Sequence, residues 1–161
     1  MTSLTRRYRF SASHRLHSPE LSDAENARVY GKCNNPFGHG HDYVLEVSVA
    51  GPVHPLTGLI VPVPALDAFI EHHVLRLFAN RNINADVAQF SERLTATSEN
   101  VALVITDIIQ QHWPHQFGST AASLRRVHIQ ETDRNGFEVL LGIAGRQVSS
   151  AAEMESVTVN G

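Results

Sequence analysis

The stretch Gly31-Lys32-Cys33-Asn34-Asn35-Pro36-Phe37-Gly38-His39-Gly40-His41 runs directly into Asp42-Tyr43-Val44-Leu45-Glu46-Val47-Ser48-Val49-Ala50. In its second half Tyr43, Leu45, Val47 and Val49 recur at every other position, the pattern of a strand with one buried face. Side chains at i and i+2 share a strand face, so His39 and His41 present both imidazoles on one side. Residues 5–14 read the same way, with Tyr8, Phe10, Ala12 and His14 on a common face. Paired antiparallel, the two strands would complete a facial three-histidine zinc site of His14, His39 and His41. Its one open position suits a catalytic metal rather than a structural one. A His-x-His pair alone reads more readily as two partly exposed or packed strand histidines; His14 and the lone thiol of Cys33 turn the reading toward metal. Three neutral imidazoles leave Zn2+ its full double charge, and a thiol beside that charge would titrate low. Cys33 would then be a general base or a fourth ligand, and spacing does not separate the two.

Between these strands Ser22-Asp23-Ala24-Glu25 fits a capping box that opens a short helix to about Val29 and returns the chain toward Cys33. Residues 59–63 could form an edge strand, where Pro62 and Pro64 would be tolerated. Pro64 also suits the first turn of a helix with an apolar stripe of Leu66, Phe69, Ile70, Val74 and Leu77. A second helix follows Thr97-Ser98 and buries Val101, Val104, Ile105, Ile108 and Ile109. Residues 124–131 and 137–141 form a hairpin signalled by Asn135-Gly136, with Val127, Ile129 and Glu131 on one face. Strands in pairs with helices grouped between them predict an α+β domain, a four-stranded antiparallel sheet with two helices on one face. Its open edges predict association into a closed barrel.

At 161 residues the chain is expected to be one domain, 1–145, followed by a polar tail, 146–161, read as mobile or as an oligomer contact. A domain of this size buries roughly two-thirds of its unfolded surface, so the fold need not depend on zinc. The net charge of -3, with no basic run longer than Arg6-Arg7 and Arg125-Arg126, excludes a nucleic-acid or anionic-lipid footprint. The single cysteine, the lack of an apolar stretch near 18 residues and the lack of a leader pattern at 1–7 point to the cytoplasm and to no membrane span. His17, His54, His112, His115 and His128 fall in loops or on polar faces and receive no role.

The runs Phe10-Ser-Ala-Ser-His14-Arg-Leu16, Leu21-Ser-Asp-Ala-Glu-Asn26, the Cys33-to-His41 segment, Thr57-Gly-Leu59, Thr97-Ser-Glu-Asn-Val101 and Glu131-Thr-Asp133 resemble the 6-pyruvoyltetrahydropterin synthase family, from about Arg6 to Leu141. Five residues between the cysteine and the first histidine are closer to the pterin-forming branch than to the 6-carboxytetrahydropterin synthases. The resemblance implies a tunnelling fold (T-fold) whose trimers close into a barrel and stack as a homohexamer, with sites between subunits. It implies Zn2+ on His14, His39 and His41 and proton transfer by Cys33 on 7,8-dihydroneopterin triphosphate, with loss of triphosphate. It also implies that Glu131 anchors the pterin and that Thr97 and Ser98 line its pocket.

One position departs from the family. Its adjacent aspartate and histidine, which join the cysteine in proton transfer, align here with Ala79-Asn80, and neither side chain exchanges a proton near neutral pH. Three outcomes are open: a truncated reaction such as retro-aldol cleavage of the side chain, a replacement donor such as His72 or His73, or pterin binding without turnover. A 6-carboxytetrahydropterin synthase-like enzyme and an unrelated metallohydrolase are the alternatives.

Overall fold

A computed structural model describes residues 1–91 and 94–142; the expected tail at 146–161 lies outside the described residues. The two histidine-bearing strands are longer than their patterns, β1 at Thr2–His14 and β2 at His39–Gly51. They pair antiparallel without a break from Thr2 opposite Gly51 to His14 opposite His39. The inward residues Tyr43, Leu45, Val47 and Val49 have no exposed surface. Burial of such side chains supplies about 1.5–3 kcal/mol each. The excursion between the strands carries α1, Asp23–Tyr30, with the Ser22–Glu25 capping box formed, and a 3-10 turn, Gly31–Asn34.

The first long helix begins as α2, Val63–Ile70, with Pro62 as N-cap, and passes through a π-helical turn, Glu71–Leu75, into α3, Arg76–Phe78. A π turn adds a residue to the helical repeat. The apolar stripe therefore shifts: Phe78 is fully buried and the expected Leu77 is 43% exposed. Residues 59–62 form no strand. Pro62 and Pro64, neither of which can donate to a ladder, instead start the helix. Arg6 donates to Asp67 through Nε at 2.9 Å and Nη2 at 2.6 Å, and Tyr8 OH donates to Asp67 at 2.9 Å, tying β1 to α2.

After Asn80 the chain forms a two-residue strand β3, Arg81–Asn82, parallel to β1, then α4, Ile83–Asp86, and the long α5, Ser98–Phe117. All five expected positions of α5 are buried. β4, Ser123–Thr132, and β5, Asn135–Leu140, complete the sheet in the order β3-β1-β2-β4-β5. The sheet thus has five strands rather than four, the addition being a short parallel edge that no local pattern announces. The hairpin turns at Asp133-Arg134, because Asn135 and Gly136 are already paired with Thr132 and Gln130. The core lies between the sheet and the helices. The opposite sheet face carries a ladder in which Arg126 bridges Glu46 at 3.1 Å and Glu138 at 2.6 Å.

Candidate metal centre and substrate pocket

The register His14 opposite His39 sets two imidazoles side by side at the strand ends. Gly38 makes the approach possible: its φ is +68°, and a Cβ there would lie 2.8 Å from the His14 carbonyl oxygen. His14 is buried, and its Nδ1–H donates to the Ala96 carbonyl at 2.7 Å. That bond fixes the tautomer and leaves Nε2 as a bare donor atom, as in metal-ligating histidines. His14 Nε2 lies 3.3 Å from His39 Nε2. Two nitrogens on one tetrahedral ion with bonds of about 2.0–2.1 Å stand about 3.3–3.4 Å apart. The ligand atoms of His14, His39 and His41 all lie within 4.8 Å of one another. His41 Nε2 is buried without a hydrogen-bond partner, as is His39 Nδ1. The donor set and the orphaned nitrogen fit a divalent cation, so the histidine triad could hold a metal ion.

Glu131 closes one side of this cage. The pairing shifts between Gln130 and Thr132, leaving Glu131 as the extra residue of β4, and such a bulge re-aims a side chain. Its Oε1 lies 3.5 Å from His14 Nε2 and 3.7 Å from His41 Nε2, and Ser98 Oγ donates to it at 2.7 Å. Ser98 is the first residue of α5, whose N-cap Thr97 accepts from Asn100 N–H at 3.3 Å. Cys33 stands in the 3-10 turn, half-buried, and its carbonyl accepts from Leu16 N–H at 2.9 Å. Its sulfur is not among the clustered ligand atoms.

The electrostatics follow from burial. Desolvation lowers the pKa of His14 and His39, keeping both imidazoles neutral and available as ligands. The Cys33 thiol is pushed up, first by burial and then by the charge of Glu131. The protein alone therefore does not make the low-titrating thiol expected from the sequence; that expectation depends on a cation's charge.

Of the other named residues, Asn80 shares a surface cavity of about 390 Å3 with His41. Ala79 follows α3, and Asn80, with a left-handed φ of +58°, donates its N–H to the Ser11 carbonyl at 2.7 Å. Both border a surface pocket of about 440 Å3 with Arg9, Ser11 and Asp42. His72 and His73 neighbour Phe69, Arg76 and His112 on the helical layer instead of the triad. Sequence reasoning missed Ala96 as a partner of His14 and Asn84 as a clamp on the Arg15 backbone. Neither stands near its partner in the chain, and no motif marks them.

The family described as 6-pyruvoyl tetrahydropterin synthase matches residues 3–140. The 6-pyruvoyl tetrahydrobiopterin synthase of Poecilia reticulata is 42% identical over 82% of this chain and 85% of its own length. That of Homo sapiens is 40% identical over 82% and 86%. The solved structure of Caenorhabditis elegans 6-pyruvoyl tetrahydropterin synthase superposes with a TM-score of 0.78 at 37% identity, covering 88% of this chain and 96% of that one. The α+β tunnelling fold expected from the sequence is the fold observed. No helix of the described residues is long and apolar enough to cross a membrane.

Proposed function

The chain belongs to the 6-pyruvoyl tetrahydropterin synthase family, and from that premise we propose a zinc-dependent pterin lyase. Its substrate is 7,8-dihydroneopterin triphosphate or a related dihydropterin, and its reaction is triphosphate elimination or side-chain cleavage. The observation that carries the reading is the bare His41 Nε2, buried in a three-imidazole cluster beside a carboxylate. Buried polar atoms are rarely left unpaired unless something binds them.

In this reading His14, His39 and His41 hold Zn2+, which when bound supplies Lewis-acid polarisation of a substrate oxygen. Cys33 takes a proton from the substrate side chain. Glu131 accepts hydrogen bonds from the pterin amino and ring N–H groups, a match for a two-oxygen acceptor. Ser98 steadies that carboxylate, and Thr97 fixes the helix start that presents Ser98. Positioning the ring lets the side chain reach the cage and carries much of the rate. Ala79-Asn80 removes one expected proton-transfer pair. General acid–base groups contribute typically about 10²- to 10⁴-fold, so turnover is slowed or redirected.

A second reading, a catalytically deficient pterin-binding homologue, is favoured by one fact: Ala79 and Asn80 have no ionisable side chain. A 6-carboxytetrahydropterin synthase-like activity is the remaining alternative. We place the protein in the cytoplasm, where its free thiol is stable, as a homohexamer whose sheet edges pair between copies. The test is zinc-loaded protein with 7,8-dihydroneopterin triphosphate, following phosphate release and pterin products. The lyase reading predicts a pterin product in either case, with inorganic triphosphate released by elimination and retained on the cleaved fragment by side-chain cleavage, and no turnover in Cys33→Ala at unchanged zinc content. Saturable pterin binding with no product from the triphosphate or from dihydroneopterin would establish the deficient reading instead.

A further inference from the structure

Arg15 follows the cage residue His14, and Asn34 follows Cys33. The half-buried guanidinium of Arg15 donates through Nε to the Asn34 carbonyl at 3.3 Å and through Nη2 to Asn34 Oδ1 at 3.4 Å. His17 Nδ1 lies 3.0 Å from the same Oδ1 and 3.3 Å from Arg15 Nη2. Two N–H donors aimed at one amide oxygen account for both distances, which leaves His17 Nε2 directed away from the amide. The backbone beneath is equally fixed: Asn84 Oδ1 accepts the Arg15 N–H at 2.8 Å, and Asn84 Nδ2 donates to the Arg15 carbonyl at 3.0 Å.

What this clamp lacks is a negative charge. Among the described residues Arg6 pairs with Asp67, and Arg7 and Arg126 pair with Glu46, whereas Arg15, like the remaining arginines, has no carboxylate within 4.0 Å; Arg15 differs from those in being half-buried with its guanidinium held by Asn34 and its backbone by Asn84. Among the described residues its acceptors are the carbonyl and side-chain oxygen of one asparagine, which occupy two of five N–H donors. A half-buried guanidinium with neutral partners keeps its charge available to an anion, and three free donors in a planar fork match phosphate oxygens. Lys32, exposed on the same turn as Cys33, adds a second positive charge.

We propose that Arg15, with His17 and Lys32, is the polyphosphate pocket of the site, holding the triphosphate of the pterin substrate and selecting phosphorylated over unphosphorylated dihydropterins. The inference rests on the pterin reading above. It places the leaving group beside the turn that carries Cys33 and one residue beyond the cage.

The test needs no turnover. Zinc-loaded protein is titrated with the oxidised pterins neopterin and neopterin triphosphate, following pterin fluorescence, with zinc content measured before and after. The wild type binds the triphosphate at least about tenfold tighter, the scale of a hydrogen bond to a charged group. Arg15→Gln brings the two affinities together while leaving that for neopterin unchanged. Arg15→Lys, which keeps the charge but loses the fork, gives an intermediate ratio and carries the test if the glutamine variant does not fold. An unchanged ratio in these variants, or equal wild-type affinities, would overturn the pocket and leave the pterin reading standing. Saturation by neither ligand would remove the pterin reading and this inference with it.

Discussion

Along the same two strands the chain builds two kinds of interior. Midway, Phe10 stacks on Tyr43 with ring centroids 5.2 Å apart, above Leu45 and Val47, which are fully buried. At the strand ends the rings are imidazoles: His14, 1% exposed, meets His39 with centroids 4.8 Å apart, and His41 keeps a bare, buried nitrogen. The first interior satisfies itself by packing. The second satisfies the rules of burial only when a hydrogen-bond donor or a cation joins it. One end of the β1–β2 pair is thus organised for folding and the other for binding, and substitutions should separate the two.

The largest effect is expected at the binding end. His41→Ala should weaken divalent-metal binding by more than about 100-fold, beyond what loss of a supporting partner costs. Metal content after dialysis reads it, with the melting temperature nearly unchanged; a large fall in melting temperature would show that the two interiors are not separable. The reciprocal change, Leu45→Ala, should cost about 2–5 kcal/mol in urea unfolding while the folded protein keeps its full metal content. Metal lost from folded Leu45→Ala protein would break the comparison from the other side.

A finer division lies inside the site. Ser98→Ala removes the donor to Glu131 and should weaken pterin binding about tenfold with metal content unaffected. A titration showing metal loss would instead make Ser98 part of the cage's support. The smallest effect concerns the brace between β1 and α2. Arg6 beside Asp67 holds that carboxyl below its ordinary range. A depressed folded pKa gives stability that is present above the unfolded value and lost as pH falls through the folded one. Asp67→Asn should therefore flatten the acid limb of the stability curve below about pH 4, modestly, because the pair is more than a third exposed. Acid titrations of melting temperature should show the variant below the wild type at neutral pH, with the gap closing as pH falls and narrowing with added salt.

Much of this was legible from local pattern. Alternation gave β1 and β2, their shared faces predicted that His14, His39 and His41 converge, and Ser22–Glu25 marked its helix correctly. What escaped is set by contacts distant in sequence. The π turn that exchanges Leu77 for Phe78 answers to packing on the sheet. β3 exists because Asn80 turns left-handed against Ser11, and the hairpin turn moved because a bulge at Glu131 consumed a residue. Arg15 was read only as part of a motif, since its unpaired charge is visible only once Asn34 and Asn84 are placed around it.

The central claim is that three imidazoles, and not the nearby sulfur or carboxylate, form the metal cage. X-ray absorption at the zinc edge on substrate-free, zinc-loaded protein tests it most directly. The account predicts three imidazole nitrogens at about 2.0–2.1 Å with a light atom in the open position and no sulfur near 2.3 Å. A zinc–sulfur distance, or fewer than three nitrogens, would contradict it.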